Sequence, residues 1–214
     1  MRISLLCSDS RHPVNKYLNE WMGSQGETHN IELVRHKSEL SGGDILLLIS
    51  CTEIIEAKTR AAYKAALILH ASDLPQGRGW SPHIWELVEG AESITISLLE
   101  AEDKVDSGRI WKKLNLAVPR HALWNEINDL LFQAEIELID FAVREFETIK
   151  PIDQDPTIEP TYYPRRSPLD SQIDPWKSIA CQFDKIRVCD PDRFPAFFTM
   201  HGKTYKLILE KFDE

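Results

Sequence analysis

The chain has 214 residues, 43% of them hydrophobic, enough for one sizeable domain or one domain with a small appendage. Its 25 basic side chains stand against 34 acidic ones, a formal charge of −9. Such a surface repels phosphate backbones and disfavours a nucleic-acid partner. No window approaches the roughly 20 apolar residues of a membrane span, and the apolar part of MRISLLCSDS is too short for a signal peptide. A soluble, cytoplasmic protein with no membrane partner is expected. Cys7, Cys51, Cys181 and Cys189 form no C-x-x-C pair and no zinc-ligand spacing, so no metal site is expected, and Cys7 and Cys51, at the ends of apolar runs, read as buried free thiols.

In chain order, Ile3 to Cys7 predicts a buried strand, followed by the loop SDSRHPVN and a helix carrying Tyr17, Leu18, Trp21 and Met22 on one side. Ile31 to Val34 predicts a short strand. Asp44 to Ser50 is continuously apolar within, as central parallel strands are. Thr59 to Ala66 reads as helix and Leu67 to His70 as the next strand. Ser81 to Glu89 reads as helix, with Ser81 as cap and Pro82 in its first turn. Ser93 to Leu99 alternates as a half-buried strand does. Ala122 to Glu147 keeps helical spacing through Leu123, Ile127, Leu130, Leu131, Ala134, Leu138, Phe141 and Ala142.

Alternating strand and helix patterns through residue 147 predict an α/β fold with a doubly wound, mostly parallel sheet. Six prolines between Lys150 and Pro175 rule out regular helix or central strand over most of that stretch. It reads as an extended linker crossing back over the core into a small β-rich appendage, with a hairpin turn at His201-Gly202. The division expected is a catalytic domain over 1–149 and a linker with C-terminal subdomain over 150–214.

The chemistry concentrates in two segments. In HASDLPQGRGWSP, an apolar run ends on His70 and passes at once into a Pro/Gly turn, so an imidazole stands where open α/β sheets put their ligands. In EDKVDSG, Glu102, Asp103 and Asp106 are three loop carboxylates, any of which could orient that imidazole as a general base. Arg78 lies between Gly77 and Gly79, which would let a ligand approach the backbone, and a guanidinium there suits a phosphate or carboxylate. Ser8, His12 and Asn15 are polar groups facing the same crevice from the first strand's loop, and Ser72 follows His70. SDSRHPVN lacks G-x-G-x-x-G, which argues against a nicotinamide or flavin cofactor.

These segments resemble the signature of the folate-dependent formyltransferases: a strand-end His, a Leu-Pro-x-x-Arg-Gly turn, then an Asp-x-Gly loop. The tail YYPRRSPLDSQID, with PAFF and HGKTYK, resembles sugar-nucleotide N-formyltransferases and the formylation domain of linear gramicidin synthetase. Arg165, Arg166, Ser167, Asp170 and Asp174 match that group's pattern. The resemblance selects Asp106 among the carboxylates. It implies that the loop with Glu102, Asp103, Val105 and Ser107 covers the pterin of N10-formyltetrahydrofolate, the co-substrate. It further implies a formyltransferase-like fold and transfer of a formyl group to the primary amine of an amino sugar carried on a nucleotide. His70 would take the amine proton, while Ser8, His12, Asn15, Ser72 and Arg78 bind the acceptor. Methionyl-tRNA or an aminoacyl carrier are alternative acceptors, and a non-catalytic folate or sugar-nucleotide binder is the alternative of another class. Apolar residues of the PAFF tail could serve a homodimer. One position departs from the family: its asparagine two residues before the histidine is here Ile68. An oxyanion donor would then have to come from Asn15 or from backbone N–H groups after His70.

Overall fold

The apolar runs line up as one six-stranded sheet. The computed structural model describes residues 1–25 and 28–212. Its elements are β1 (Arg2–Leu6), α1 (Val14–Gln25), β2 (Asn30–Val34), β3 (Gly43–Leu48), α2 (Ala57–Arg60) and β4 (Tyr63–His70). They continue as β5 (Arg78–Gly79), α3 (Pro82–Val88), β6 (Ser93–Glu100), β7 (Ile110–Ala117), α4 (Trp124–Arg144) and β8 (Tyr162–Tyr163). The tail holds α5 (Phe183–Arg187), β9 (Ala196–Met200) and β10 (Lys203–Leu207).

The sheet order is β2-β1-β3-β4-β6-β7, parallel as far as β4 and antiparallel beyond it. Strand β1 lies between β2 and β3, so chain direction across the sheet reverses there. The loops after β1 and β3 meet at this reversal, at the strands' carboxyl ends, where open α/β sheets bind their ligands. One face carries the main core, where Leu5, Ile45, Leu47, Leu67, Ile96 and Leu98 meet α1 and α4. The two helices are tied at their edges by Tyr17 Oη donating to Asp129 and Trp21 Nε1 donating to Asp140, each at 2.5 Å. The other face is thinner: Leu6, Val34, Leu46, Leu48, Ile55 and Tyr63, with Ile68 packed against them. No helix of the described residues is long and apolar enough to cross a membrane.

Three expectations need correction. The helix over 59–66 is one short turn, α2, after which Tyr63 already begins strand β4; the alanines there face neighbouring strands, and sheet pairing overrides their helical preference. Strand β7 was not anticipated, because Lys112, Lys113 and Asn115 of this edge strand interrupt the apolar pattern. Ser81 holds the cap position of α3 in a left-handed conformation (φ 46°), and its side chain makes no capping bond. All four cysteines are free; Cys7 and Cys189 are buried, Cys51 is half-buried and Cys181 is exposed.

The proline-rich segment runs along the sheet edge and the turn after β4. Ile110 and Ile152 exchange backbone hydrogen bonds of 2.7 and 2.9 Å, and β8 pairs in parallel with β5. Beyond it, β9 and β10 form an antiparallel hairpin whose two turn residues, His201 and Gly202, both have positive φ, as a tight right-twisted hairpin requires. The hairpin and α5 share a small core of Ile173, Ile186, Cys189 and Ala196.

Candidate active site

His70 ends β4 on the same side as Ile68, since alternate residues of a strand share a face. Its side chain is 8% exposed. Nε2 lies 2.8 Å from the carbonyl oxygen of Gly77. A carbonyl only accepts, so Nε2 carries the hydrogen, and Nδ1 is left facing Asp106. Nδ1 to Asp106 Oδ1 is 3.7 Å, an ion-pair separation beyond hydrogen-bond length. The structure thus brings together the two residues picked out as catalytic, with a gap between their reacting atoms.

Asp106 is fixed from three sides. Its backbone is left-handed (φ 51°), its Oδ2 accepts from Gly79 N at 2.9 Å, and its carbonyl accepts from Gln154 Nε2 at 2.8 Å. Gln154 Nε2 also donates to Gly108 O at 2.9 Å. A Cβ on Gly108 would stand 1.9 Å from Glu100 O, so only glycine lets the loop close against β6.

The glycines flanking Arg78 serve a different purpose from the one expected. Gly79 lies against the chain's own segment 161–163, while a Cβ on Gly77 would stand 2.8 Å from that of Ser72. Gly77 N donates to Thr161 Oγ1, Arg78 N to Thr161 O and Trp80 N to Tyr163 O, at 2.8, 2.9 and 3.1 Å. A Cβ on Gly79 (φ 100°) would meet Tyr163 O at 2.5 Å. Arg78 itself is 4% exposed. One terminal nitrogen donates to Gln154 Oε1 at 2.6 Å and the other to Tyr162 Oη at 3.4 Å.

The first strand's loop is satisfied by its own residues, the loop after β3 and Arg35. Val14 N donates to His12 Nδ1 at 3.3 Å, so the hydrogen of His12 is on Nε2, 3.2 Å from Ser50 Oγ. Burial, and after it the charge of Arg193, pushes the His12 pKa down to about 4. Ser8 Oγ accepts from Thr52 N and reaches Cys51 Sγ, tying the loops after β1 and β3. Asn15 Nδ2 donates to Asp9 O and His12 O, and its Oδ1 accepts from Arg35. Both hydrogens of that amide are committed, which removes Asn15 as the oxyanion donor expected in place of the family asparagine. Ser72 has no exposed surface: it is sealed inside the turn, its carbonyl held by Ser97 Oγ, so it shapes the turn instead of touching an acceptor. Backbone donors after His70 are also largely taken, those of Ser72, Gln76, Gly77, Arg78 and Gly79 among them.

In the loop over 102–108, Asp103 pairs with Arg60, whose other nitrogen donates to Ile55 O and so joins this loop to the one after β3. Val105 is exposed, Ser107 Oγ donates to Lys104 O at 2.8 Å, and Glu102 lines the surface beside Asp103. Between the two joined loops lie Ile55, Cys51, Ile68 and Ala101, an apolar floor that suits a planar ring.

Three residues of this neighbourhood carried no sequence signal. Gln154 and Thr161 lie in the proline-rich stretch, and their reach to the turn is purely tertiary. His83, in the first turn of α3, has a sealed Nδ1 with no partner. Burial pushes its pKa down to about 3, helped by the nearby charges of His70 and Arg166. Among the described residues no three His, Cys, Asp or Glu side chains gather as a metal-ligating group.

No family model matches the chain. Among curated proteins it is 27% identical over 168 residues to the methionyl-tRNA formyltransferase of Rickettsia prowazekii, covering 77% of this chain and 54% of that one. It is 30% identical over 146 residues to that of Sulfurovum sp., covering 68% and 44%. The chain therefore spans about half the length of the curated relatives it matches. Among solved structures, a methionyl-tRNA formyltransferase from Clostridium thermocellum superposes with TM-score 0.80 at 21% identity over 96% of both chains. HypX from Aquifex aeolicus in complex with tetrahydrofolic acid gives 0.76 at 20% over 95% of this chain and 36% of that one. A sugar N-formyltransferase from Shewanella sp. gives 0.75 at 10% over 100% and 99%. In sequence and in fold, the chain is a relative of the formyltransferase family.

Proposed function

We propose that the protein transfers a formyl group from N10-formyltetrahydrofolate to a primary amine, that of an amino sugar carried on a nucleotide. The observation that carries this is the buried His70–Asp106 pair at 3.7 Å, at the carboxyl end of β4. With Nε2 held by Gly77 O, the lone pair of neutral His70 is on Nδ1, so the attacking amine would lose its proton there. The protonated imidazole would then face both the tetrahedral oxyanion and Asp106, whose carboxylate stabilises the new charge. Asp106, held by Gly79 and Gln154, is placed to assist proton delivery to the departing folate nitrogen. The folate ring would lie on the floor of Ile55, Ile68 and Ala101, between the loops that Arg60 joins. Free cysteines fit the reducing, cytoplasmic setting of such a reaction. On this reading residues 1–149 carry the chemistry, and the segment beginning at 150 locks the turn.

A second reading, a folate or sugar-nucleotide binder without turnover, is favoured by one observation: Ile68 offers no donor, and most neighbouring donors are committed. The test is tetrahydrofolate release from N10-formyltetrahydrofolate over a panel of amino sugar nucleotides, methionyl-tRNA and an aminoacyl carrier. Release driven by an amino sugar nucleotide is expected. Release driven only by methionyl-tRNA would overturn the acceptor, and saturable binding with no release would favour the second reading.

A further inference from the structure

A cavity of about 310 Å³ opens on the far side of the Asp106 loop, between the turn after β4 and the segment over 153–160. Ser8, His12, Asn15 and His70 do not line it; it shares only Arg78 and Ser107 with the residues expected to bind acceptor and folate. Its walls include Arg78, Lys104, Ser107, Asp153, Gln154 and Asp155.

The charge arrangement around it is unusual. Neighbouring cations each have a carboxylate: Arg60 has Asp103, Arg109 has Glu100 at 2.7 Å, and Lys113 has Asp73 at 2.6 Å. Arg78 is more deeply buried than any of them, yet its side-chain bonds go only to the neutral Gln154 and Tyr162. Its Nε is buried with no partner at all. A buried guanidinium without a counter-charge is costly, and the cost is recovered when an anion sits against it. Lys104, exposed at the same wall, also lacks a carboxylate within ion-pair distance among the described residues.

We infer that this cavity is an oxyanion site, taking a phosphate or carboxylate group against Arg78, with Lys104 closing over it. Asp153 and Asp155 oppose the incoming charge from the rim and keep the affinity modest. Gln154 makes the site consequential, because it joins Arg78 to the carbonyls of Asp106 and Gly108. An anion drawing Arg78 toward it loads the residue that fixes Asp106. The inference does not depend on formyl transfer and stands or falls without it.

The experiment is titration of the full chain with inorganic phosphate and, separately, with uridine 5′-diphosphate, followed by calorimetry. Lys104→Ala and Asp153→Asn are measured beside the parent chain; both residues are exposed, so the fold should be kept. Saturable phosphate binding is expected, about two- to fivefold weaker in Lys104→Ala and tighter by a similar factor in Asp153→Asn, the range for exposed charges. Equal affinities for the two probes would identify a free-anion site, and tighter uridine diphosphate binding a site for the phosphate of a larger ligand. Absence of saturable binding, or binding that neither variant changes, would overturn the assignment.

Discussion

The crevice has two walls built on different principles. The wall after β1 is mostly local: Ser8, His12 and Asn15 spend their hydrogen bonds within about seven residues, on the adjacent β3 loop, or on Arg35 just beyond β2. The wall after β4 is long-range. His70, Gly79 and Asp106 are held by a turn, a loop and a segment that lie dozens of residues apart in the chain. A loop that satisfies itself needs no ligand and no partner to stay in place. A wall assembled from three segments holds a fixed geometry between side chains, which is what proton transfer demands.

That contrast can be broken first beneath the β1 wall. Glu135 of α4 is buried beside Cys7 with an unpartnered oxygen, and burial pushes its pKa up to about 8. A folded-state value above the unfolded 4.5 means the folded chain binds the proton more tightly. Stability is then fullest below pH 4.5 and is lost as pH rises to about 8, by an amount on the order of 5 kcal/mol. Urea unfolding of the parent chain and Glu135→Gln across that window should show the difference growing with pH in favour of the variant. A constant difference would mean the carboxyl is paired.

The β4 wall is tested next by Gly108→Ala. Its Cβ would collide with the backbone of Glu100, so a loss of about 3 kcal/mol is expected, with the Asp106 loop displaced. A variant as stable as the parent would mean the loop is not closed against β6. Asn15→Ala should have the smallest effect, about 1 kcal/mol of stability for the hydrogen bonds lost. Its maximal rate should change little. A large fall in rate with stability intact would return Asn15 to the chemistry.

How much of this could be read beforehand follows the same division. The strand-end position of His70, the Asp106 loop and the order of apolar runs are local signals, and the structure bears out the α/β sheet they imply. Strand β7 was hidden because its lysines lie on an open sheet edge. The role of Gly79 was misread because the segment it accommodates, 161–163, lies more than eighty residues away. Gln154 and the buried nitrogen of His83 acquire meaning only from neighbours the sequence does not name.

The central claim is that the His70–Asp106 pair performs general-base chemistry on an amine. Its most direct test is kcat/KM for tetrahydrofolate release in the parent chain and in His70→Asn, with circular dichroism confirming that the variant is folded. The account predicts a loss of at least about a hundredfold with the fold intact. Turnover near that of the parent chain in a folded His70→Asn would contradict it.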